Sequence, residues 1–303
     1  MLKANMNKIR ISSNLLIFAG LIVLVLVVGL VFTPPAGKSF EGERAFIAAQ
    51  SQMNFGPRTP GSDSHQKWLV WAEEELQLNG WSVNQQDGYF RGKHIQNRIA
   101  KKGSSGPLVI LGAHYDSRLV ADKDPAYPAL ESPVPGANDG ASGVAVLMEL
   151  ARSLDVNENM QVWLVMIDAE DQGNLPGWEW ILGSRFFVEN LIEVPAAVVI
   201  VDMVGDQDLT LPREVSSNAA LQDEIWKTGQ NLGYGDIFLD QRGYYMLDDH
   251  TPFLEKDIPA VDIIDFDYPY WHTTQDTLDK ISVNSLEAVG KTLETWLENY
   301  PHP

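Results

Sequence analysis

The sequence predicts an α/β fold with a mostly parallel central sheet flanked by helices, preceded by one N-terminal transmembrane helix. Three observations carry this expectation. Short apolar runs of strand length recur along the chain, longer stretches of helical periodicity lie between them, and one long uncharged run stands near the N-terminus.

The uncharged run comes first. Residues 15–32 read LLIFAGLIVLVLVVGLVF, 18 positions without a charge or a hydrogen-bonding side chain. At about 1.5 Å per residue such a helix covers roughly 27 Å, close to the hydrocarbon thickness of a bilayer. Lys3, Lys8 and Arg10 all stand on its N-terminal side, an asymmetry that keeps that end in the cytoplasm and exports the rest of the chain. The expected organisation is a basic cytoplasmic tail over residues 1–14, a signal anchor over 15–32, a linker over 33–39 and one globular domain over 40–303. The protein is then a single-pass protein of the cell membrane with its domain outside the cytoplasm. A cleavable signal peptide is the competing reading; the apolar stretch is long for that role, and TPPAGKSF has no clear small-x-small site. Protease added to intact cells or spheroplasts is expected to digest the chain beyond residue 40 while the N-terminal segment stays in the membrane. A protected domain, or a soluble released form, is the opposing result.

Within the domain, residues 107–112, 162–167, 196–201 and 260–264 are apolar at nearly every position, as in strands buried on both faces. Helical periodicity marks 144–154, 178–190 and 221–232, and a C-terminal segment sets Leu286, Val289, Leu293 and Trp296 on one face. Alternation of this kind means a sheet covered by helices. Ligands in such sheets collect at the carboxyl ends of the strands.

Composition narrows the chemistry. With 45% hydrophobic and 21% charged residues the 303-residue chain has enough apolar material for a core. It contains no cysteine, which excludes disulfides, thiolate metal sites and cysteine nucleophiles. Lys3, Lys8, Arg10 and Lys38 precede the first acid, so 18 of the 22 bases face all 41 acids in the remainder. A body of that charge is repelled by phosphate backbones, which argues against nucleic acid as a partner.

The polar residues of interest stand just after the strands. His114-Tyr115-Asp116 comes after the first, and Asn138-Asp139-Gly140 opens the helix beyond it. Asp168-Ala169-Glu170-Asp171 comes after the second strand, Asp202 ends the third, and Trp271-His272 comes after the fourth. Each alone is a common turn or cap. Together, two histidines and several carboxylates at one sheet edge repel one another unless a cation neutralises them. Imidazole and carboxylate donors without thiolate suit catalytic zinc, and cobalt or manganese also fit. In the Glu170-Asp171 pair, adjacent side chains leave a loop in different directions. Asp171 is therefore free to bind metal while Glu170 faces the open side as general base and acid.

Six blocks, HYDSR, GANDGASGVAVLMELARSL, IDAEDQG, VDMVGD, DDHTPFL and YWHTTQDTLDKIS, resemble in their order the signature of metallopeptidase family 28. This is the group of bacterial leucyl-type aminopeptidases and glutaminyl cyclases. The resemblance spans roughly residues 40–300 and implies a zinc-exopeptidase, phosphorylase-hydrolase-like catalytic domain. It implies His114, Asp139, Asp171, Asp202 and His272 as metal ligands with Asp139 bridging, Asp116 as the residue orienting His114, and Glu170 as the catalytic base. In the cyclases it implies one zinc, on Asp139, Asp171 and His272, with Asp202 and Asp249 in a proton-handling network. Trp178, Trp180 and Trp271 resemble the cyclase branch as substrate-pocket walls. Two positions depart: Asp171 stands where both branches more often have Glu, and Asp262 where animal cyclases have His. The resemblance thus implies one or two zinc ions and action on free peptide N-termini. Glutaminyl cyclisation leads, and aminopeptidase hydrolysis is the alternative. A non-catalytic, receptor-like ectodomain resembles the same fold but lacks metal ligands, and here every ligand position is filled.

Overall fold

The computed structural model describes residues 38–125, 131–157 and 159–300. The expected anchor, its basic tail and all but the last residues of the linker lie outside the described residues. Among the described residues no helix is long and apolar enough to cross a membrane.

Chain order runs α1 (Gly42–Met53), α2 (Asp63–Leu78), β1 (Ser82–Phe90), β2 (Lys93–Lys102), β3 (Leu108–His114), α3 (Ala141–Ser153), β4 (Gln161–Ile167), α4 (Leu182–Glu189) and β5 (Ala197–Asp202). It continues through β6 (Leu211–Arg213), α5 (Ala219–Asn231), β7 (Phe238–Arg242), α6 (Thr251–Leu254), β8 (Ala260–Ile264) and α7 (Val283–Glu298). The central sheet has the order β1-β2-β4-β3-β5-β8. Its last four strands are parallel, whereas β2 pairs antiparallel with both β1 and β4. The sheet is therefore mixed: three of its five pairings are parallel, in line with the mostly parallel expectation, and the hairpin formed by β1 and β2 adds an antiparallel edge. Apolar runs do not reveal these strands, because β1 has no buried residue and β2 buries Gln96, Asn97 and Arg98.

Side chains of the parallel strands alternate between two apolar layers, as the period of two requires. Val109, Leu111 and Ala113 of β3, with Val162, Leu164 and Met166 of β4, join the layer under α3 and α7. Leu108, Ile110, Trp163, Val165 and Ile167 face the opposite layer, with Phe187 of α4 and Phe253 of α6. Both layers are closed to water. Each fully buried aliphatic side chain contributes about 1.5–3 kcal/mol relative to exposure, so the parallel strands are fixed in register with their C-terminal ends level. Gly143, in the first turn of α3, lets that helix approach the end of β5: a Cβ there would lie 2.0 Å from the Val201 carbonyl oxygen. Helix α3 and the turn before it are thereby pressed onto the same sheet edge.

Candidate active site

The five expected ligand side chains converge at that edge, each from a different element. His114 ends β3, Asp202 ends β5, Asp139 precedes α3, Asp171 follows β4 and His272 follows β8; all five are buried. Asp139 stands between the histidines, with Oδ1 3.2 Å from His114 Nε2 and Oδ2 3.9 Å from His272 Nε2. Asp202 Oδ1 lies 3.1 Å from His114 Nε2, and Asp171 Oδ1 lies 2.8 Å from His272 Nε2. Two triads result, His114–Asp139–Asp202 and Asp139–Asp171–His272, each offering one donor atom per residue within 4.8 Å of the others. Only glycine fits beside them at position 140, where a Cβ would lie 2.5 Å from His114 Nε2.

The triads differ in how their atoms are satisfied. His114 Nε2 hydrogen-bonds with Asp202 Oδ1. In the other triad, Asp139 Oδ2, Asp171 Oδ2 and His272 Nε2 are buried without a hydrogen-bond partner among the described residues. His272 Nδ1 lies 3.1 Å from Asp122 Oδ1; in the tautomer with the ring proton on Nδ1, a lone pair at Nε2 faces the Asp171 carboxylate. Two acceptors in contact away from water are costly, and a cation between them removes the cost. The nitrogen and oxygen donor set fits zinc. Asp171, one methylene shorter than Glu, still reaches His272 because Arg118 Nη1 contacts both its carbonyl oxygen at 3.0 Å and its Oδ1 at 3.4 Å.

Buried carboxylates behind the ligands hold the loops in place. Asp116, fully buried, accepts from the Glu170 N–H at 3.0 Å, the Asp171 N–H at 3.4 Å and Gln172 Nε2 at 2.9 Å, and lies 3.5 Å from His114 Nδ1. Burial would raise its pKa, but His114, Gln172 and the Glu170 N–H hold it below the usual range. Asp276 does the same for the turn carrying Asp139, accepting from the N–H groups of Asn138 at 2.8 Å and Asp139 at 3.2 Å and from Tyr268 Oη at 2.7 Å. Burial and the Asp139 charge push its pKa up to about 7. Asp168 is engaged elsewhere, with His65 Nε2 at 2.9 Å and the Gln96 N–H at 2.8 Å. Sequence reasoning missed Asp276, Asp122 and Arg118. Only the spacing of Arg118 and Asp122, four residues apart and ion-paired at 2.8 Å, offered a signal.

A cleft of about 190 Å³ opens over the second triad. Its floor is acidic, with Asp139, Glu170, Asp171, Asp202 and Asp248, and Trp180 and Trp271 stand in its walls. The Trp271 ring lies 3.7 Å from that of His272 and the Trp180 ring 6.0 Å from it, centroid to centroid. Burial, with the charges of Asp248, Asp171 and Asp249, pushes Glu170 well above the carboxylate range against the pull of His114. Burial likewise raises Asp171 to about 6 and Asp202 to about 7.

Two of the expected site residues, Trp178 and Asp249, lie outside the cleft lining, as does Asp262. Trp178 lies outside the cleft, packed near Ile95, Ala169 and Leu182 with Lys93 Nζ 3.8 Å from its ring centroid, whereas Trp180, two residues on, lines the cleft. Asp248, not Asp249, reaches the cleft; Asp249 is fully buried, and neither of its oxygens has a hydrogen-bond partner among the described residues. The Asp248 carboxylate accepts the Asp249 N–H, which turns the two side chains apart. Asp262 is buried on β8 with Oδ2 3.6 Å from His250 Nδ1 and does not line the cleft.

Comparison with known proteins gives a consistent set of similarities. The profile described as Peptidase family M28 matches residues 97–297. A solved Zn-dependent exopeptidase from Parabacteroides distasonis is 29% identical, with a TM-score of 0.81 over 87% of this chain and 100% of that one. A Bacteroides thetaiotaomicron glutaminyl cyclase bound to N-acetylhistamine is 30% identical, with a TM-score of 0.81 over 87% of this chain and 99% of that one. Aminopeptidase YwaD of Bacillus subtilis is 28% identical over 274 residues, covering 82% of this chain and 55% of its own length.

Proposed function

We propose, from the premise that this chain belongs to peptidase family M28, that it is a zinc enzyme acting on free peptide N-termini, closing N-terminal glutamine to pyroglutamate with release of ammonia. One observation carries the choice of chemistry. Among the described residues every member of the second triad, Asp139, Asp171 and His272, carries a buried atom without a hydrogen-bond partner, whereas in the first His114 Nε2 and Asp202 Oδ1 bond to each other and the unpartnered His114 Nδ1 faces Asp116 at 3.5 Å. This pattern supports a single cation at the second triad, with Asp202 free for a role in proton handling.

Asp139, Asp171 and His272 would hold zinc, which would supply a Lewis acid for a substrate carbonyl. The protein's own groups do the rest. Trp180 and Trp271 flank His272 and confine a small side chain beside the triad. The acidic floor attracts the substrate's amino group. Glu170 takes a proton from that amine as its nitrogen bonds to the side-chain carbonyl carbon of glutamine, and returns the proton to the amide nitrogen as the carbon–nitrogen bond breaks. Ammonia leaves and no water is consumed. Asp116 fixes the Glu170 backbone for this transfer.

Aminopeptidase hydrolysis is the second reading, favoured by the two overlapping triads through Asp139, which together offer ligands for two ions. In that reading Glu170 takes its proton from a water molecule. Mass spectrometry separates the two. A glutaminyl peptide is expected to lose the mass of one ammonia while a leucyl peptide stays intact; release of free leucine without cyclisation transfers the assignment to hydrolysis.

A further inference from the structure

A second groove, of about 450 Å³, adjoins the cleft and shares Trp180 and Leu247 with it. Arg91, Trp178, Glu179 and Arg185 also line it. Most of its charges cancel. Arg91 is ion-paired with Glu179, and Arg185 with Glu255 through contacts of 2.7 and 3.1 Å. Lys93 stands behind this lining rather than in it: its Nζ lies 3.8 Å from the centroid of the lining Trp178 ring, and it makes no ion pair among the described residues. Its position is set by the hairpin between β1 and β2, where Phe90 pairs with Lys93 and the two turn residues, Arg91 and Gly92, have φ of 46° and 80°. Two successive left-handed residues make the tight turn that matches the twist of the flanking strands.

The cleft itself has room for little more than one residue; sites for larger ligands run to about 300–1,000 Å³. A peptide whose first residue fills it must carry the following residues out past its wall, and the groove begins at that wall. In a chain of net charge −19, an ammonium without an ion-pair partner, held against a ring that lines the groove, favours the opposite charge there. Resting on the reading of an enzyme of peptide N-termini, we infer that the groove is the subsite for the residues following the first, and that Lys93 makes it favour acidic side chains there.

The test uses two C-terminally fluorescein-labelled peptides, Gln-Asp-Asp-Gly and Gln-Lys-Lys-Gly. Their binding is followed by fluorescence polarisation at low ionic strength to the full chain carrying Glu170→Gln, so that both peptides survive. The acidic peptide is expected to bind roughly three- to fivefold more tightly, the size of one exposed charge pair. Adding Lys93→Ala should remove the preference and Lys93→Glu should reverse it. Lys67→Glu, an equal change of net charge on α2, should leave it intact. Equal binding of the two peptides, or a preference that survives Lys93→Glu, overturns the assignment. Glutamine amide, which reaches only the cleft, reports on the chemistry separately. Its conversion by the unmodified enzyme alongside equal peptide binding sinks the groove alone. Its failure to react alongside a Lys93-dependent preference sinks the cyclase reading and leaves the groove standing.

Discussion

Replacing Glu170 by glutamine is expected to lower kcat by about 10²–10⁴-fold, the contribution of a well-placed general acid–base, with zinc content unchanged. The side chain is 7% exposed on the cleft floor. Its backbone is fixed on both sides: the N–H donates to Asp116 Oδ1 at 3.0 Å and the carbonyl accepts from the Ile181 N–H at 2.9 Å. Glutamine has the same length and shape, so neither the fixing bonds nor the neighbouring Asp171 need move, but an amide cannot accept and return a proton. The loss should therefore fall on kcat with KM little changed, the signature of an interaction made in the transition state. Steady-state kinetics with metal analysis of the same preparation is the measurement. Full activity in the variant would remove Glu170 from the chemistry.

Removing the His272 imidazole should abolish zinc binding and activity together. His272→Ala deletes one corner of the triad and leaves Asp139 and Asp171, whose Oδ2 atoms have no hydrogen-bond partner among the described residues, with the 3.4 Å contact of Arg118 to Asp171 Oδ1 as the remaining positive charge. Elemental analysis should find zinc bound to the parent protein and not to the variant. Thermal unfolding offers a second reading. A ligand at about 100 times its Kd stabilises the folded state by about 2.7 kcal/mol, so a chelator should lower the parent's Tm and leave the variant's unchanged. Stoichiometric zinc in His272→Ala, or equal chelator sensitivity, would relocate the metal.

The parts of this structure legible in the sequence are those where one physical signal dominates. Strands β3, β4, β5 and β8 are buried on both faces, so continuous apolar runs mark them. Their C-terminal polar residues then fall at a common edge by topology alone, which brings His114, Asp139, Asp171, Asp202 and His272 together. The edge strands β1 and β2 carry too many polar residues to give that signal. Choices between near neighbours in short loops were also out of reach. Trp178 and Trp180, or Asp248 and Asp249, differ in direction rather than type, and direction is set by hydrogen bonds such as that between the Asp249 N–H and the Asp248 carboxylate. Asp276 carries no distinguishing signal of its own in the sequence, although it anchors the N–H groups of the turn that presents Asp139.

The order of the ligands along the chain has a consequence for biosynthesis. His114 is supplied by a strand in the middle of the sheet, while His272 follows β8, the edge strand that pairs only with β5. Pairings between distant segments form late because the chain must first close the long loops between them. A nascent chain that has emerged only as far as β5 holds four of the five ligand residues and lacks the imidazole that completes the triad of Asp139, Asp171 and His272. A cation at that triad is therefore expected to be taken up only after synthesis has passed residue 272, so that, on the proposed single-ion reading, an incomplete chain has no active enzyme to release.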